Sequence, residues 1–270
     1  MPTYDDDLRL AHVLADAVEP TTMGRFKAND LVVETKPDLS PVSDADLAAE
    51  ELIRTQLKRT RPRDAVSGEE FETTGHGPRR WVIDPIDGTK NFVRGVPVWA
   101  TLIGLVVDEK PVLGLVAAPA LNRRWWAAIG SGAWTGRSLS SAKRVGVSKV
   151  SRIRDASMSY GDIEDWRKIG KRRELLELMD DCWRTRAYGD FWSHMLVAEG
   201  AVDIAPEPEL AVYDMAALVP IVQEAGGRFT GLDGRDGCWS GNALSSNGLL
   251  HDEVLSRIGS TAGSGTLPLG

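Results

Sequence analysis

The sequence predicts an α/β fold of layered helices and sheets. Three observations predict it. Apolar stripes at helical spacing alternate with short β-branched runs in both halves of the chain. With 270 residues, 42% hydrophobic and 26% charged, the chain has ordinary globular composition, enough for one large domain or two closely packed halves. Near Val150 a run of strands gives way to alternating helices and strands. That seam divides 1–150 from 151–258 as subdomains of one unit. No internal repeat is evident.

The elements follow in order. Asp5, Asp6 and Asp7 precede a Leu10, Leu14, Val18 stripe, an acidic start to an amphipathic helix that Pro20 should end or kink. Residues 28–42 contain Lys36, Pro37, Asp38 and Pro41 and read as an extended loop or hairpin. Ser43 can cap a second helix, with Asp46 three residues on as a shortened capping box. That helix carries Leu47, Leu52, Ile53 and Leu57 and ends at Arg61-Pro62-Arg63. Ala65-Val66-Ser67 is a short strand leading into Gly68-Glu69-Glu70, and 73–78 is a loop. Strands are expected over 98–107, 112–117 and 124–129, with turns at 108–110 and 130–134. The second half should hold strands at 156–160, 184–188 and 202–205, a charged helix over 163–179 and a helix over 191–199. Asp214 should start a helix that bends at Pro220, runs to Glu224 and stops at Gly226-Gly227. Strands at 228–230 and 243–247 and a helix at 253–258 complete the fold. Residues 259–270 are rich in Gly, Ser and Thr and read as a mobile tail outside it.

Composition narrows the function. A net charge of −7 argues against a nucleic-acid partner. The two cysteines, Cys182 and Cys238, stand apart and form no CxxC pair, so a reducing, cytoplasmic setting is expected. The first residues lack a basic segment followed by an apolar core. No apolar run reaches the ~18 residues of a membrane span, so no membrane partner is expected. HExxH, GxSxG and GxGxxG are all absent, which speaks against zinc-hydrolase, serine-hydrolase and Rossmann oxidoreductase chemistry.

The chemistry concentrates in residues 81–92, WVIDPIDGTKNF. Trp81-Val82-Ile83 reads as the end of a buried strand. Pro85 turns the chain directly after Asp84, and Asp87 follows three residues on. Gly88 and Thr89 present backbone N–H groups where a short helix can start. Paired carboxylates suit a hard divalent cation, and exposed amides at a helix start suit phosphate. Glu69 after a glycine and Asp214 at a helix start are further acidic stations. Asp84, at the rigid strand end, is the natural bridge between two ions, and the Ile86 carbonyl could add a neutral oxygen. Taken singly, each has a plainer reading: an Asp-x-x-Asp turn, a helix cap at Asp214, a solvated Glu69-Glu70 pair.

Together, GEE at 68–70, WVIDPIDGTKNF at 81–92 and YDMAALVPIVQEAGG at 213–227 resemble the inositol monophosphatase family of Mg²⁺-dependent, lithium-sensitive phosphatases. The resemblance reaches to about residue 258. It implies a layered α-β-α-β-α sandwich, usually a homodimer, acting on a small phosphate ester. It implies two to three Mg²⁺ ions, with Glu69, Asp84, the Ile86 carbonyl and Thr89 around the first, Asp84, Asp87 and Asp214 around the second, and Glu69 facing a weaker third. The amides of Gly88 and Thr89 would grip phosphate. Asp44 matches the acidic partner of the Thr89 hydroxyl, and Lys36 a basic residue of a mobile loop. In the implied reaction, Glu69 and the Asp44–Thr89 pair orient and deprotonate a metal-activated water that attacks phosphorus in line. Tyr213 departs from the Trp common before that aspartate, without touching the ligand set.

Substrate choice falls to the second half. The stretch Gly189-Asp190-Phe191 and Glu207 match the family's sugar-contacting positions. Asp190 places a charge where inositol phosphatases commonly carry a small Ser or Thr, and Glu207, with Glu209 nearby, adds to that field. Acids there favour a cationic leaving group. The GDFWSH run resembles the family's histidinol-phosphate phosphatases, which act in histidine biosynthesis. Arg186 is expected to pair with Glu207 and brace the pocket. Asp190 has a plainer role as helix cap, and His194 as a packed residue. A broad inositol-1-phosphate phosphatase shares every catalytic residue and is the alternative. A partner-binding protein with secondary phosphatase activity is more remote. No extra basic cluster is visible for a second phosphate.

Overall fold

The computed structural model describes residues 3–37 and 39–259. Helix α1 (Asp5–Arg25) runs through Pro20 instead of ending there. The turn beyond the proline is held from outside. Thr22 is fully buried, and Arg25 bridges Asp30 (2.9 Å) and Asp44 (2.7 Å). Those contacts outweigh the one backbone bond a proline removes. Strands β1 (Val33–Thr35) and β2 (Pro41–Ser43) pair as an antiparallel hairpin. Ser43 then caps α2 (Asp44–Thr60), its amide donating to Asp46 at 2.8 Å.

Next come β3 (Ala65–Gly68), β4 (Arg79–Asp87), α3 (Thr89–Val93), β5 (Ala100–Val107), β6 (Lys110–Ala118), β7 (Arg123–Ala128), β8 (Ala133–Gly136) and β9 (Lys143–Arg144). Strands β3 to β9 form one sheet in chain order, with β3 and β4 parallel and the rest antiparallel. The expected turn at 130–134 is shorter, because Ala133 and Trp134 already belong to β8.

The second half holds β10 (Ser157–Ser159), α4 (Ile163–Lys168), α5 (Arg172–Asp181), β11 (Arg184–Arg186), α6 (Asp190–Ala198), β12 (Ile204–Glu207), α7 (Val212–Met215), α8 (Leu218–Glu224), β13 (Arg228–Thr230), β14 (Ala243–Ser246) and α9 (His251–Ile258). Its five strands lie in the order β11-β10-β12-β14-β13. The single helix expected over 163–179 is two, broken at Gly170, which sits at positive φ. The helix expected from Asp214 to Glu224 is also two. Pro220 lies in the first turn of α8, where a missing N–H costs nothing. The tail expected over 259–270 lies outside the described residues from 260 onward.

Five layers stack as α-β-α-β-α. One face of the large sheet, with Trp81, Ile83, Leu105, Leu113 and Trp126, packs on α1 and α2. Its other face, with Val82, Leu102 and Trp125, packs on α6, α7 and α8, which also meet Ala205, Phe229 and Ala243 of the small sheet. The far side of the small sheet, with Met158, Ile204 and Leu244, is covered by α4, α5 and α9. Burying one such large side chain contributes about 1.5–3 kcal/mol, so the end of β4 is firmly anchored. Side chains alternate along a strand. Val82 faces the middle layer, so Asp84 does too, towards the first turns of α6 and α7. Among the described residues, no helix is long and apolar enough to cross a membrane.

Candidate active site

The stretch 81–92 builds the centre of the site by local geometry. Pairing between β4 and β5 is regular up to Asp84↔Leu102, slips, and resumes at Asp87↔Ala100. This bulge at Pro85-Ile86 lets Asp84 and Asp87 converge. The Asp84 carboxylate accepts the Ile86 N–H at 3.0 Å, and the Thr101 hydroxyl donates to the Pro85 carbonyl at 2.8 Å. Gly88 then takes a left-handed φ of 83°, and a Cβ there would press on the Val98 carbonyl and the Asp190 carboxylate. Only glycine suits that corner. Helix α3 starts directly after it, so the amides at 88–89 lie where a helix leaves donors free.

Two distant elements complete the set. The Phe191 amide, in the first turn of α6, donates to Asp87 at 2.7 Å. Asp214 accepts the Ala211 N–H at 2.6 Å from the third position of α7, and so braces that helix start without being its cap residue. Carboxylate oxygens of Asp84, Asp87 and Asp214 lie within 4.8 Å of one another. Burial, then Glu69, Asp87 and Asp214, hold the Asp84 carboxyl well above the usual carboxylate range. Burial, Asp190 and Asp214 do the same to Asp87. Burial pushes Asp214 up to about 7, against the Ala211 hydrogen bond. Three carboxylates drawn together, Asp84 and Asp87 buried and Asp214 half-buried, with no ion pair to a cation among the described residues, fit a hard divalent ion, which would relieve their repulsion.

Glu69 does not join that triad directly. Its carboxylate accepts Lys36 Nζ at 2.7 Å, and Glu70 accepts the same ammonium at 2.8 Å. Burial alone would depress Lys36, but these two bonds hold its pKa above the ordinary value. Burial pushes Glu70 up to about 7. Glu69 remains the largest neighbouring charge acting on Asp84, so it borders the same space.

The acidic partner of Thr89 is Asp46, not Asp44. The Thr89 hydroxyl lies 3.4 Å from the Asp46 carboxylate and 2.9 Å from the Ile86 carbonyl. Asp44 points away, into its ion pair with Arg25. Positions 44 and 46 are about 200° apart around a helix, so they cannot face the same group. Burial pushes Asp46 up to about 6, against the Ser43 hydrogen bonds.

Beside the carboxylates lies a cleft of about 430 Å³. It is lined by Asp87, Asp162, Asp165, Asp190, Glu207, Glu209 and Asp214, with Lys90 the one cation among its described lining residues. Lys168 pairs with Asp165 and, at 3.6 Å, with Glu209 at the rim. Asp190 and Glu207 lie deeper. Asp190 accepts Asn91 Nδ2 at 2.9 Å and holds a left-handed φ of 49°, a strained backbone for a residue with a Cβ. It is not the helix cap. Gly189 occupies that position, and Asp87 supplies the capping acceptor from across the molecule. Burial pushes Asp190 up to about 6, against Lys90. Glu207 ends β12, where the strand runs two residues beyond the expected 205. Its Oε1 is buried with no hydrogen-bond partner among the described residues. Burial, then Asp190 and Asp165, hold its carboxyl well above the usual range.

Arg186 does not brace Glu207. It ends the edge strand β11, is exposed, and donates to the Thr185 carbonyl at 2.7 Å. His194 is buried against Ser245 at 2.8 Å, a packed residue as expected. Sequence reasoning missed Asn91, which sits in the 81–92 stretch. It also missed the Asp87–Phe191 bond, which no local pattern signals.

Comparison with known proteins agrees with this geometry. Residues 4–260 match the model of the inositol monophosphatase family. The chain is 64% identical to a histidinol-phosphatase of Streptomyces coelicolor, over 96% of this chain and 98% of that one. It is 55% identical to a histidinol-phosphatase of Mycobacterium tuberculosis, over 94% and 98%. A Thermotoga maritima IMPase structure superposes with a TM-score of 0.84 at 31% identity, covering 94% of this chain and 96% of that one.

Proposed function

The chain belongs to the inositol monophosphatase family and is a phosphoric monoester hydrolase, and we propose that its substrate is histidinol phosphate, cleaved by water to histidinol and phosphate. One observation carries the choice of ester. The leaving-group cleft is acidic, and one of its buried carboxylates, Glu207, has an oxygen without a partner among the described residues. A cationic leaving group pairs with that oxygen and favours its ionised form, whereas a neutral polyol brings no charge to offset the burial that disfavours that form. The two histidinol-phosphatase relatives support the same reading.

We assign the roles as follows. Glu69, Asp84, Asp87, Asp214 and the Ile86 carbonyl would hold two to three Mg²⁺ ions, which would supply activation of water and stabilisation of the leaving oxygen. The amides of Gly88 and Thr89 hold the phosphate oxygens. Thr89 has one hydroxyl proton and two acceptors in reach, the Ile86 carbonyl and Asp46. When the Ile86 carbonyl is engaged elsewhere, that proton turns to Asp46. Asp46, with a pKa near 6, can then take a proton through Thr89 near neutral pH, with Glu69 orienting the water. Asp190 and Glu207 receive the cationic end of the substrate beside Gly189. Arg186 keeps no part in this pocket. We place the enzyme in the cytoplasm, in histidine biosynthesis, as a homodimer with lithium-sensitive activity, built as subdomains 1–150 and 151–258.

The test is phosphate release with Mg²⁺ from histidinol phosphate and inositol-1-phosphate side by side. A kcat/KM ratio of about a hundredfold or more, roughly 2.7 kcal/mol, in favour of histidinol phosphate is expected. A ratio near one, or in favour of the inositol ester, returns the chain to a broad inositol phosphatase. Lithium should inhibit at submaximal Mg²⁺, and indifference to it would count against the metal assignment.

A further inference from the structure

Glu50 belongs to no part of the site described above, yet it is fully buried in the middle of α2. Both its oxygens are engaged. Oε1 accepts Arg54 Nε at 2.7 Å, and Oε2 accepts the backbone N–H of Glu70 at 2.8 Å. Arg54 continues outward. Its Nη2 donates to the Phe71 carbonyl at 2.8 Å, its Nη1 reaches Thr74 Oγ1 at 3.4 Å, and its guanidinium lies 5.7 Å from the Phe71 ring centre. Gly68 has no Cβ because the Glu50 carboxylate fills that space. The turn carrying Glu69 and Glu70 is thus gripped from one side by a buried anion and its arginine.

A buried carboxylate is costly to keep in a helix unless its bonds serve something. An apolar residue would pack there without that cost. What Glu50 holds is the backbone on either side of Glu69, with the close approach at Gly68 and the amide at Glu70. We propose that Glu50, backed by Arg54, is a positioning residue that fixes the Gly68-Glu69-Glu70 turn so that Glu69 faces the Asp84, Asp87 and Asp214 carboxylates. The proposal rests on the reading of Glu69 as a metal ligand. Glu50 itself touches neither substrate nor metal. Its role is to set the direction of a ligand-bearing backbone, the kind of supporting contact whose loss lowers metal affinity about 10–100-fold.

The experiment is calorimetric titration of Mg²⁺ into the substrate-free protein, with amide exchange at Glu70 measured alongside. Glu50→Gln keeps the size but offers one acceptor and turns an NH₂ towards an existing donor. It should weaken Mg²⁺ binding about tenfold and speed exchange of the Glu70 amide. Arg54→Lys should weaken Mg²⁺ binding about threefold, and it decides the matter if Glu50→Gln does not fold. Ile53→Val, a core change on the same helix, controls for general loss of stability and should leave Mg²⁺ affinity unchanged. Glu69→Gln tests the underlying reading. If it weakens Mg²⁺ binding while Glu50→Gln and Arg54→Lys bind as the wild type does, the positioning role is overturned. If Glu69→Gln binds normally, Glu69 is no ligand and the proposal falls with that reading. An equal loss in Ile53→Val and Glu50→Gln would also overturn it, since any destabilised α2 would then suffice.

Discussion

The carboxylate cluster and the leaving-group cleft are both acidic, and they are built in opposite ways. In the cluster each of Asp84, Asp87 and Asp214 accepts a backbone N–H, from Ile86, Phe191 and Ala211. The main chain fixes those groups before any ligand arrives. In the cleft Glu207 keeps a buried oxygen with no partner among the described residues, and Asp190 rests on a side-chain amide and a strained backbone. On the proposed assignment, the first arrangement is preorganised for one invariant partner, an inorganic cation with phosphate. The second, on the same assignment, leaves a demand that the proposed organic cation meets and a neutral ligand does not. The proposed roles thus put chemistry and selectivity in separate parts of one acidic cavity.

The strongest way to break this contrast is Asp84→Asn. Metal-assisted stabilisation is worth several kcal/mol, so turnover should fall about a thousandfold or more while circular dichroism stays unchanged. A loss below tenfold would deny Asp84 its central place. Asp46→Asn comes next. A positioned acid–base group contributes about a hundredfold or more, so kcat should fall by that order with little change in KM. An unchanged kcat would leave Thr89 without a proton acceptor and send the search elsewhere.

The cleft is probed by Asp190→Ser. A lost charge-assisted hydrogen bond costs ~1.5–3 kcal/mol, about 10–150-fold. That loss should fall on histidinol phosphate and largely spare inositol-1-phosphate. Equal losses on both esters would erase the division between chemistry and selectivity, because Asp190 would then serve only the fold of α6.

A smaller effect comes from pH. The ordinary aspartate value is 3.8, while Asp214 sits near 7 and Asp190 near 6 in the folded chain. Between about pH 4 and 7 the native state therefore holds protons that the unfolded chain has released. Stability of the metal-free protein falls as pH rises through that window and levels off above it. Mg²⁺ must displace the proton on Asp214, so its affinity should rise with pH, by up to about tenfold per unit for each proton released. The Mg²⁺-induced rise in melting temperature should accordingly grow from pH 5.5 to 7.5. A shift that is flat over this range would mean that the ion binds away from Asp214.

The two regions also differed in how far the sequence revealed them. Asp84, Asp87, Gly88 and Thr89 were legible because one strand end, one proline and one glycine set their geometry within a few residues. The layers were legible for the same reason, since the 3.6 and 2 periodicities of α2 and β4 name their buried faces. Expectations failed where a global contact overrode a local rule. Pro20 stays within α1 because Thr22 and Arg25 are held beyond it. Arg186 stands on an edge strand whose end turns to solvent, and composition alone cannot see an edge. The bond from the Phe191 amide to Asp87 joins residues 104 positions apart and leaves no trace in spacing.

Asp44→Asn is the smallest expected effect and the sharpest test of which α2 face belongs to the site. Asp46, Ala49, Ile53 and Leu57 are all buried and recur at intervals of three or four, which marks one inward stripe. Asp44 lies off that stripe, paired with Arg25, with its side chain 38% exposed. Removing its charge loosens a solvent-screened pair and weakens an acid in the first turn of α2, both modest terms. The melting temperature should drop slightly, more so at low salt, while kcat and KM for histidinol phosphate stay within about twofold of wild type. A large loss of kcat in Asp44→Asn, with Asp46→Asn active, would reverse the assignment. It would require α2 to be rotated by nearly half a turn from the orientation that its buried stripe dictates.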